Sequence, residues 1–564
     1  MNKSIAHTAF LLAFVGTTST ALGYSVRGKG RIMYFDAAYA ATVEAGKAAE
    51  IVRIDGDGTK KPLARVRVQL MDSDADFDEV MAEGTTDANG DFSLKGEADD
   101  SFTLCDGCDR PDPYIKFSLY DENRVDIHDI WGFTYFGVTN TVEDTQGTIN
   151  FGTWKFRTED AIYPRLFAYT QKQYEEFTKL TGERRVPGND GLVGVTVPEL
   201  FIGRTPWTGM GHVHWPGDYF KASTIFHEFG HRIRHAADGD LGHWIGDAML
   251  FNYARYHKMH EDSNLGFAFN EGWANFHASL LNSNIRQTLT DWDMDEEGSD
   301  EWEGNVAAKL YRLSASCGGF KNMWTVLETG KGRSISGGPA GAQDGIHSYA
   351  QFRTVFREKF PKCYENLLAH LTKARSKTKL VLQEESPSSS AMTQQAVLAK
   401  NALDKANKDA SRPIQTKWTA SRLSKLPETV RPSMVRLTNK RVSYAQAHAK
   451  NISNAISRFM TKVKPADDKA KSDGSYEASL AAAQAELIKS VAQGRLRQIH
   501  ELQSDLKGLI AATKDARFKR YLSNLLARYA KHEGAIRNAL ARPTDRVPSE
   551  LIPVGMQTPM TQDR

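Results

Sequence analysis

Cysteine is scarce in this sequence, with four in 564 residues, so no disulfide-dense scaffold of the small secreted kind holds it together. Long apolar runs are missing too. None reaches the roughly 18 residues that a membrane-spanning helix requires, which excludes an integral membrane helix. Nor does the chain carry the bias of collagen, of a lone coiled coil or of a disordered polymer: 40% of it is apolar, 25% charged and 10% aromatic. What is left is a globular protein long enough for about two to four domains. A strong net charge is also absent, at +3 overall, but the balance is uneven. Residues 376–564 carry 33 Lys and Arg against 17 Asp and Glu, whereas residues 1–375 carry 39 against 52. The tail is therefore +16 and the remainder −13.

Lys3 precedes an apolar run from Ala9 to Val15, and the small residues Ala21 and Gly23 follow just before Tyr24. That order of charge, short apolar stretch and small residues is a signal peptide over residues 1–23, because the run is too short to cross a bilayer. The expectation is a secreted protein, extracellular or periplasmic, without a transmembrane anchor. In such a compartment Cys105 with Cys108, and Cys317 with Cys363, are expected to form two bridges. Cys105 and Cys108 also have the spacing of a redox pair or half a zinc site, but neither a βαβ setting nor a second cysteine pair accompanies them.

From residue 28 to 156 the signals are those of β structure. Apolar and polar residues alternate strictly from Ala64 to Leu70, the period of a strand with one buried face. Asp87-Ala88-Asn89-Gly90-Asp91 has turn chemistry, with Gly90 expected at the positive-φ position of a hairpin. These strings, with Lys61-Pro62-Leu63-Ala64 before them and Asp112-Pro113-Tyr114-Ile115-Lys116-Phe117 after, resemble the transthyretin-like and carboxypeptidase-regulatory-like β-sandwich modules. The resemblance covers about a hundred residues and implies a supporting, spacing or binding module. Asp72, Asp74, Asp76 and Glu83 do not make a calcium loop, because Phe77 stands where its glycine is required.

Residues 157–375 hold most of the histidines and the string Thr224-Ile225-Phe226-His227-Glu228-Phe229-Gly230-His231-Arg232-Ile233. On a helix, positions four apart share a face about 6 Å apart along the axis, so His227 and His231 can converge on one metal with Glu228 beside it. Phe226, Phe229 and Ile233 supply the apolar side for burying the helix, and Gly230 leaves room for a close neighbour. Two imidazoles and a carboxylate suit one zinc ion that keeps a water in its fourth position. Such a water is a nucleophile at neutral pH, and Glu228 can take its proton as general base.

The string Phe269-Asn270-Glu271-Gly272-Trp273-Ala274-Asn275 opens a second amphipathic run. Together the two strings resemble those of the gluzincin zinc metallopeptidases, over residues 190–290. The resemblance implies that His227, His231 and Glu271 are metal ligands, that Glu228 is the base, and that Asn275 contacts a ligand histidine. The chain departs from the family in spacing, since 39 residues lie between His231 and Glu271, and Asp238 to Leu265 reads as an insertion. Asp247, His257 and Glu261 stay open as alternative third ligands. His235 is about 12 Å of helix rise from His227 and cannot share the site, and Arg234 and Ala237 exclude metzincin ligation. His212 and His214 share one face of a strand and are either near substrate or simply wetted. His347 and Tyr349 are either a donor to the reacting centre or part of a surface loop.

Beyond residue 375, Ile499, Leu502, Leu506 and Leu509, then Phe518, Leu522, Leu525, Leu526 and Tyr529, recur at helical steps. The region 376–564 is read as a basic helical tail, partly disordered, with a Pro-rich end after Arg542 and a charge suited to an anionic surface. The expected fold class is multidomain α+β: an N-terminal β-sandwich, a central α+β zincin-like domain and a C-terminal α-helical basic region. The expected function is an exported zinc metallopeptidase acting on protein or peptide substrates. The alternative is a non-catalytic secreted or cell-surface binding protein that uses the sandwich and basic tail, with a structural or vestigial metal site.

Overall fold

The computed structural model describes residues 24–42, 50–73, 78–98, 110–122, 124–186, 192–197, 206–209, 212–216, 220–238, 259–260, 263–292, 300–338, 344–365, 404, 420–463, 475–541 and 558–563. Residues 1–23, read as a signal peptide, Cys105 and Cys108, Asp74 and Asp76, and the alternative ligands Asp247, His257 and Glu261 lie outside these residues. The architecture is multidomain α+β: sheets come first and helices dominate the C-terminal part.

Two five-stranded sheets build the N-terminal part. In the first, β1 (Tyr24–Thr42) is central, parallel to β10 (Gly147–Lys155) and antiparallel to β2 (Glu50–Pro62) and β5 (Asp91–Ala98). In the second, β3 (Arg67–Asp72) lies between β4 (Glu79–Thr85) and β6 (Pro113–Ser118), with β9 (Phe136–Val138) beyond β6. Phe92, Leu94 and Ala98 on β5 alternate with exposed residues, and Phe92 and Leu94 are buried with Val68, Leu70, Ile115 and Phe117 of the other sheet. Stacked sheets bury such an interior between them, and β3 and β6 are covered on their other face as well, so the wetted face expected for the strand up to Leu70 is not found.

The turn at residues 87–91 corrects the hairpin expectation. Gly90 does take φ of 75°, and Asp87 Oδ1 accepts from the backbone N–H groups of Asn89 and Asp91. The flanking strands nevertheless go to different sheets, β4 onto β3 and β5 onto β1. A Cβ at Gly90 would sit 2.3 Å from the Ile32 carbonyl oxygen, so the turn is pressed against β1 as it crosses. The strand expected over 64–70 begins at Arg67, because Arg65 takes φ of 58°.

A third sheet has the order β12 (Trp207–Gly209), β13 (His212–His214), β11 (Val193–Thr196), β8 (Val125–His128), β7 (Tyr120–Asp121). Strands β7 and β8 fall within the segment read as sandwich, but β8 pairs in parallel with β11. Register puts Val125, Ile127, Val193, Val195 and Val213 on one face, all fully buried. Helices α1 (Ile162–Thr181), α2 (Ala222–Asp238), α3 (Leu265–Ser279), α4 (Ser283–Asp291), α5 (Glu303–Ser316), α6 (Gly319–Gly330) and α7 (Tyr349–Lys359) follow. One apolar core runs from the sandwich through this sheet into α7. At the junction Asp36 of β1 meets Arg165 of α1 at 3.1 Å, both being buried. A disulfide joins Cys317 to Cys363, with their Cα atoms 5.5 Å apart.

The tail forms α8 (Ala420–Ser424), α9 (Arg431–Lys462), α10 (Ser475–Ala512) and α11 (Ala516–Ala541). Its core holds Ile499, Leu502, Leu506, Phe518, Leu522, Leu525 and Tyr529 and also takes in Ile130 and Trp131 from the loop after β8. Gln484 Nε2 donates to the Ile130 carbonyl oxygen at 2.8 Å, and Arg528 meets Glu79 at 3.1 Å. Lys450, Lys489, Lys507, Lys514, Arg517 and Lys519 face solvent. Most of the end after Arg542, read as partly disordered, lies outside the described residues; residues 558–563 depart from that reading, since β14 (Thr558–Pro559) lies on β9 and β15 (Thr561–Asp563) on β10. No helix among the described residues is long and apolar enough to cross a membrane.

Candidate metal centre

Helix α2 turns Ile225, Phe226, Phe229 and Ile233 into the core, which presents His227 and His231 together on another face. Their ring centroids are 4.7 Å apart and nearly perpendicular. Gly230 lies between them in sequence, where a Cβ would come within 2.9 Å of Ala274 Cα and 3.1 Å of His277 Cβ. This missing side chain lets α3 approach α2 closely and carry Glu271 to the two rings.

His227 Nε2 and Glu271 Oε2 are 3.0 Å apart, His231 Nε2 and the same oxygen 3.2 Å, and the two Nε2 atoms 3.0 Å. Among the described residues this is the single group of three His, Cys, Asp or Glu whose ligand atoms lie within 4.8 Å of one another. The outward nitrogens decide what these atoms carry. His231 Nδ1 faces Asn270 Oδ1 at 3.3 Å, and Arg234, which can only donate, meets the same atom at 3.2 Å. The Asn270 atom is therefore the oxygen, and His231 donates to it from Nδ1. His227 Nδ1 makes the matching contact to Asn275 Oδ1 at 3.1 Å. With its Nδ1 proton given to Asn270, His231 presents a lone pair from Nε2 towards His227 Nε2 and the Glu271 oxygen, so the three atoms favour a positive charge among them, whether a metal ion or a proton on His227. The electrostatics agree. Burial works to lower the His227 pKa, yet hydrogen bonding and charge from Glu271, with Glu228 and Glu303, outweigh it and raise the value. The site favours positive charge, and two imidazoles with one carboxylate fit zinc.

Glu228 is 5% exposed, and its Oε2 accepts from Thr208 Oγ1 at 2.8 Å. His235 is not part of the group of three. His212 and His214 share a face of β13; His214 is buried, and His212 is half-buried with its ring 5.3 Å from that of His128. On the same face His128 bridges Asp126 and Thr196, each at 3.0 Å. His347 and Tyr349 are buried, so the surface-loop reading fails. Burial, then Asp300 and Tyr364, raise the Tyr349 pKa.

Residues 59–125 match the Transthyretin-like family, in agreement with the N-terminal module. The match runs from the end of β2 to the first residue of β8 and ends before α2 and α3. No curated protein matches the chain. Among solved structures, native yeast LTA4 hydrolase is 12% identical over 94% of this chain and 95% of that chain, with a TM-score of 0.21. A 9R-lipoxygenase from Cyanothece PCC8801 is 12% identical over 63% of this chain and 59% of that chain, with a TM-score of 0.15. At these TM-scores neither likeness bears on fold or function.

Sequence reasoning missed Thr208, Asn270, Arg234 and Glu303, the last being a buried acid that opens α5. Asn270 carried the only local signal, as the polar neighbour of Glu271 in an apolar string. His277 was missed as well. It stacks on Phe229 and donates from Nδ1 to the Phe226 carbonyl oxygen at 3.3 Å. Burial outweighs that bond and, with His227, lowers its pKa from 6.5 to about 4. The unfolded chain therefore takes up this proton below about 6.5 and the folded chain only near 4. The stability that the neutral ring contributes is complete above pH 6.5 and is lost as pH falls towards 4, by roughly 3 kcal/mol in all. The urea midpoint of the wild type should fall between pH 7 and pH 4.5, with a shallower fall in His277→Phe. Identical slopes in both proteins would show that His277 is not the group responsible.

Proposed function

We propose that this chain is an exported zinc-dependent metallopeptidase that hydrolyses peptide bonds in protein or peptide substrates. The observation that carries this reading is the convergence of His227 Nε2, His231 Nε2 and Glu271 Oε2 within 3.2 Å, with Asn270 and Asn275 oxygens facing the two outward ring nitrogens. Structural zinc sites fill all four positions with protein ligands and favour cysteine, whereas three ligands of nitrogen and oxygen type leave a position for solvent. A zinc ion held by His227, His231 and Glu271 would supply Lewis acidity and bring the pKa of a coordinated water near 7.

The chain's own residues do the rest. Asn270 and Asn275 hold the two imidazoles in the tautomer that offers Nε2. Glu228 accepts the proton of the attacking water on its carboxylate as the water oxygen bonds to the scissile carbonyl carbon. It then passes that proton to the leaving nitrogen as the C–N bond breaks, which yields a carboxylic acid and an amine. The order of residues 1–23 and the Cys317–Cys363 disulfide support export, since such bridges persist in oxidising compartments. The exposed lysines and arginines of α9 to α11 support adsorption of the exported protein to an anionic surface.

The direct test is metal removal. Hydrolysis of labelled casein by the purified protein should disappear on dialysis against a chelator and return with one equivalent of zinc per chain. Full activity in the demetallated protein would rule the reading out.

A further inference from the structure

Thr208 lies on β12, the edge strand of the third sheet, and no motif in the sequence marks it. Its Oγ1 is 2.8 Å from Glu228 Oε2 and 2.9 Å from the Glu228 carbonyl oxygen. Thr208 is fully buried and Glu228 is 5% exposed, so solvent does not compete for the contact. Pairing with Val213 fixes the backbone of Thr208, and the β-branched side chain is restricted at χ1. The hydroxyl is thus delivered by a strand to a carboxylate on a helix, from an element that carries none of the three converging ligand atoms.

A hydroxyl has one proton to give, and an ionised carboxylate is a stronger acceptor than a peptide carbonyl. With Glu228 ionised, the proton goes to Oε2. That oxygen is held against the strand, and Oε1 is left as the oxygen that receives a proton. We infer that Thr208 is a positioning residue for Glu228, fixing which carboxylate oxygen faces the reaction and holding it there between turnovers. The inference rests on the peptidase reading, with Glu228 as its base. A mobile carboxylate would still bind substrate normally but would meet the water proton in the wrong geometry, so the effect belongs to kcat rather than KM.

The test compares Thr208→Val, which keeps the shape and removes the hydroxyl, with Thr208→Ser, which keeps the hydroxyl, using labelled casein. Thr208→Val should lower kcat by about 10- to 100-fold, with KM within about twofold and zinc content unchanged. Thr208→Ser should recover most of the loss. Independently of turnover, urea midpoints are measured for Thr208→Val, Glu228→Ala and the double variant. The double variant should depart from the sum of the two singles, as expected for groups in direct contact. Wild-type kcat in Thr208→Val, or strict additivity in the urea cycle, overturns the inference. Should the wild type hydrolyse nothing while the cycle is non-additive, the peptidase reading fails and takes the kinetic role of Thr208 with it, and the cycle identifies which of the two ideas was at fault.

Discussion

Glu228→Gln is expected to lower casein turnover by about 10³-fold while the protein keeps one zinc per chain. The amide is nearly the same shape as the acid and can still accept from Thr208 Oγ1, so the packing around α2 is preserved. What it cannot do is take a proton from water and return it to a leaving nitrogen. The three converging atoms belong to His227, His231 and Glu271, so metal content should not follow the activity down. This separation of activity from metal distinguishes the peptidase from a binding protein with a structural ion. Turnover within tenfold of wild type would remove Glu228 as the base, and loss of zinc together with activity would leave the binding-protein alternative standing.

The second large effect is expected at Glu271. Changing it to alanine removes the only carboxylate of the three and leaves two imidazoles whose Nε2 atoms are 3.0 Å apart. Changes to groups that merely orient metal ligands cost about 10- to 100-fold in affinity, and loss of a charged ligand should exceed that. Purified Glu271→Ala should therefore contain well under one zinc per chain after dialysis and hydrolyse casein no faster than the chelated wild type. Its folded state should survive, because the α2–α3 contact rests on Gly230 and Ala274 rather than on the carboxylate. Retention of a full equivalent of zinc would mean that another residue is the third ligand.

Much of this site could be read from local spacing. His227, Glu228 and His231 lie within five residues, and helical periodicity alone puts the two histidines on one face. The apolar stripes from Ile499 and from Phe518 were legible for the same reason, since each is a repeat that one element satisfies by itself, whereas the alternation up to Leu70 misled: the strand begins at Arg67, and Gln69 is buried along with Val68 and Leu70. The hairpin at Gly90 misled because a turn string reports backbone conformation and not which sheet the next strand joins. The chain end misled because a Pro-rich approach hides the strand at residues 561–563. The burial of His214 and His347 was not legible, because neither strand alternation nor loop composition reports what packs over a side chain.

The sequence by itself determined the elements that carry chemistry: a helix bearing His227, Glu228 and His231, a second string bearing Glu271, an alternating sandwich and an amphipathic basic tail. Tertiary structure alone decided that Glu271 reaches both imidazoles across 39 intervening residues, that Asn270 is held by Arg234 so that His231 must donate to it, and that Thr208 meets Glu228. The reason is physical. Periodicity records which face of an element is buried, whereas hydrogen-bond partners and close helix approaches depend on how separate elements pack, and no single stretch of chain contains that information.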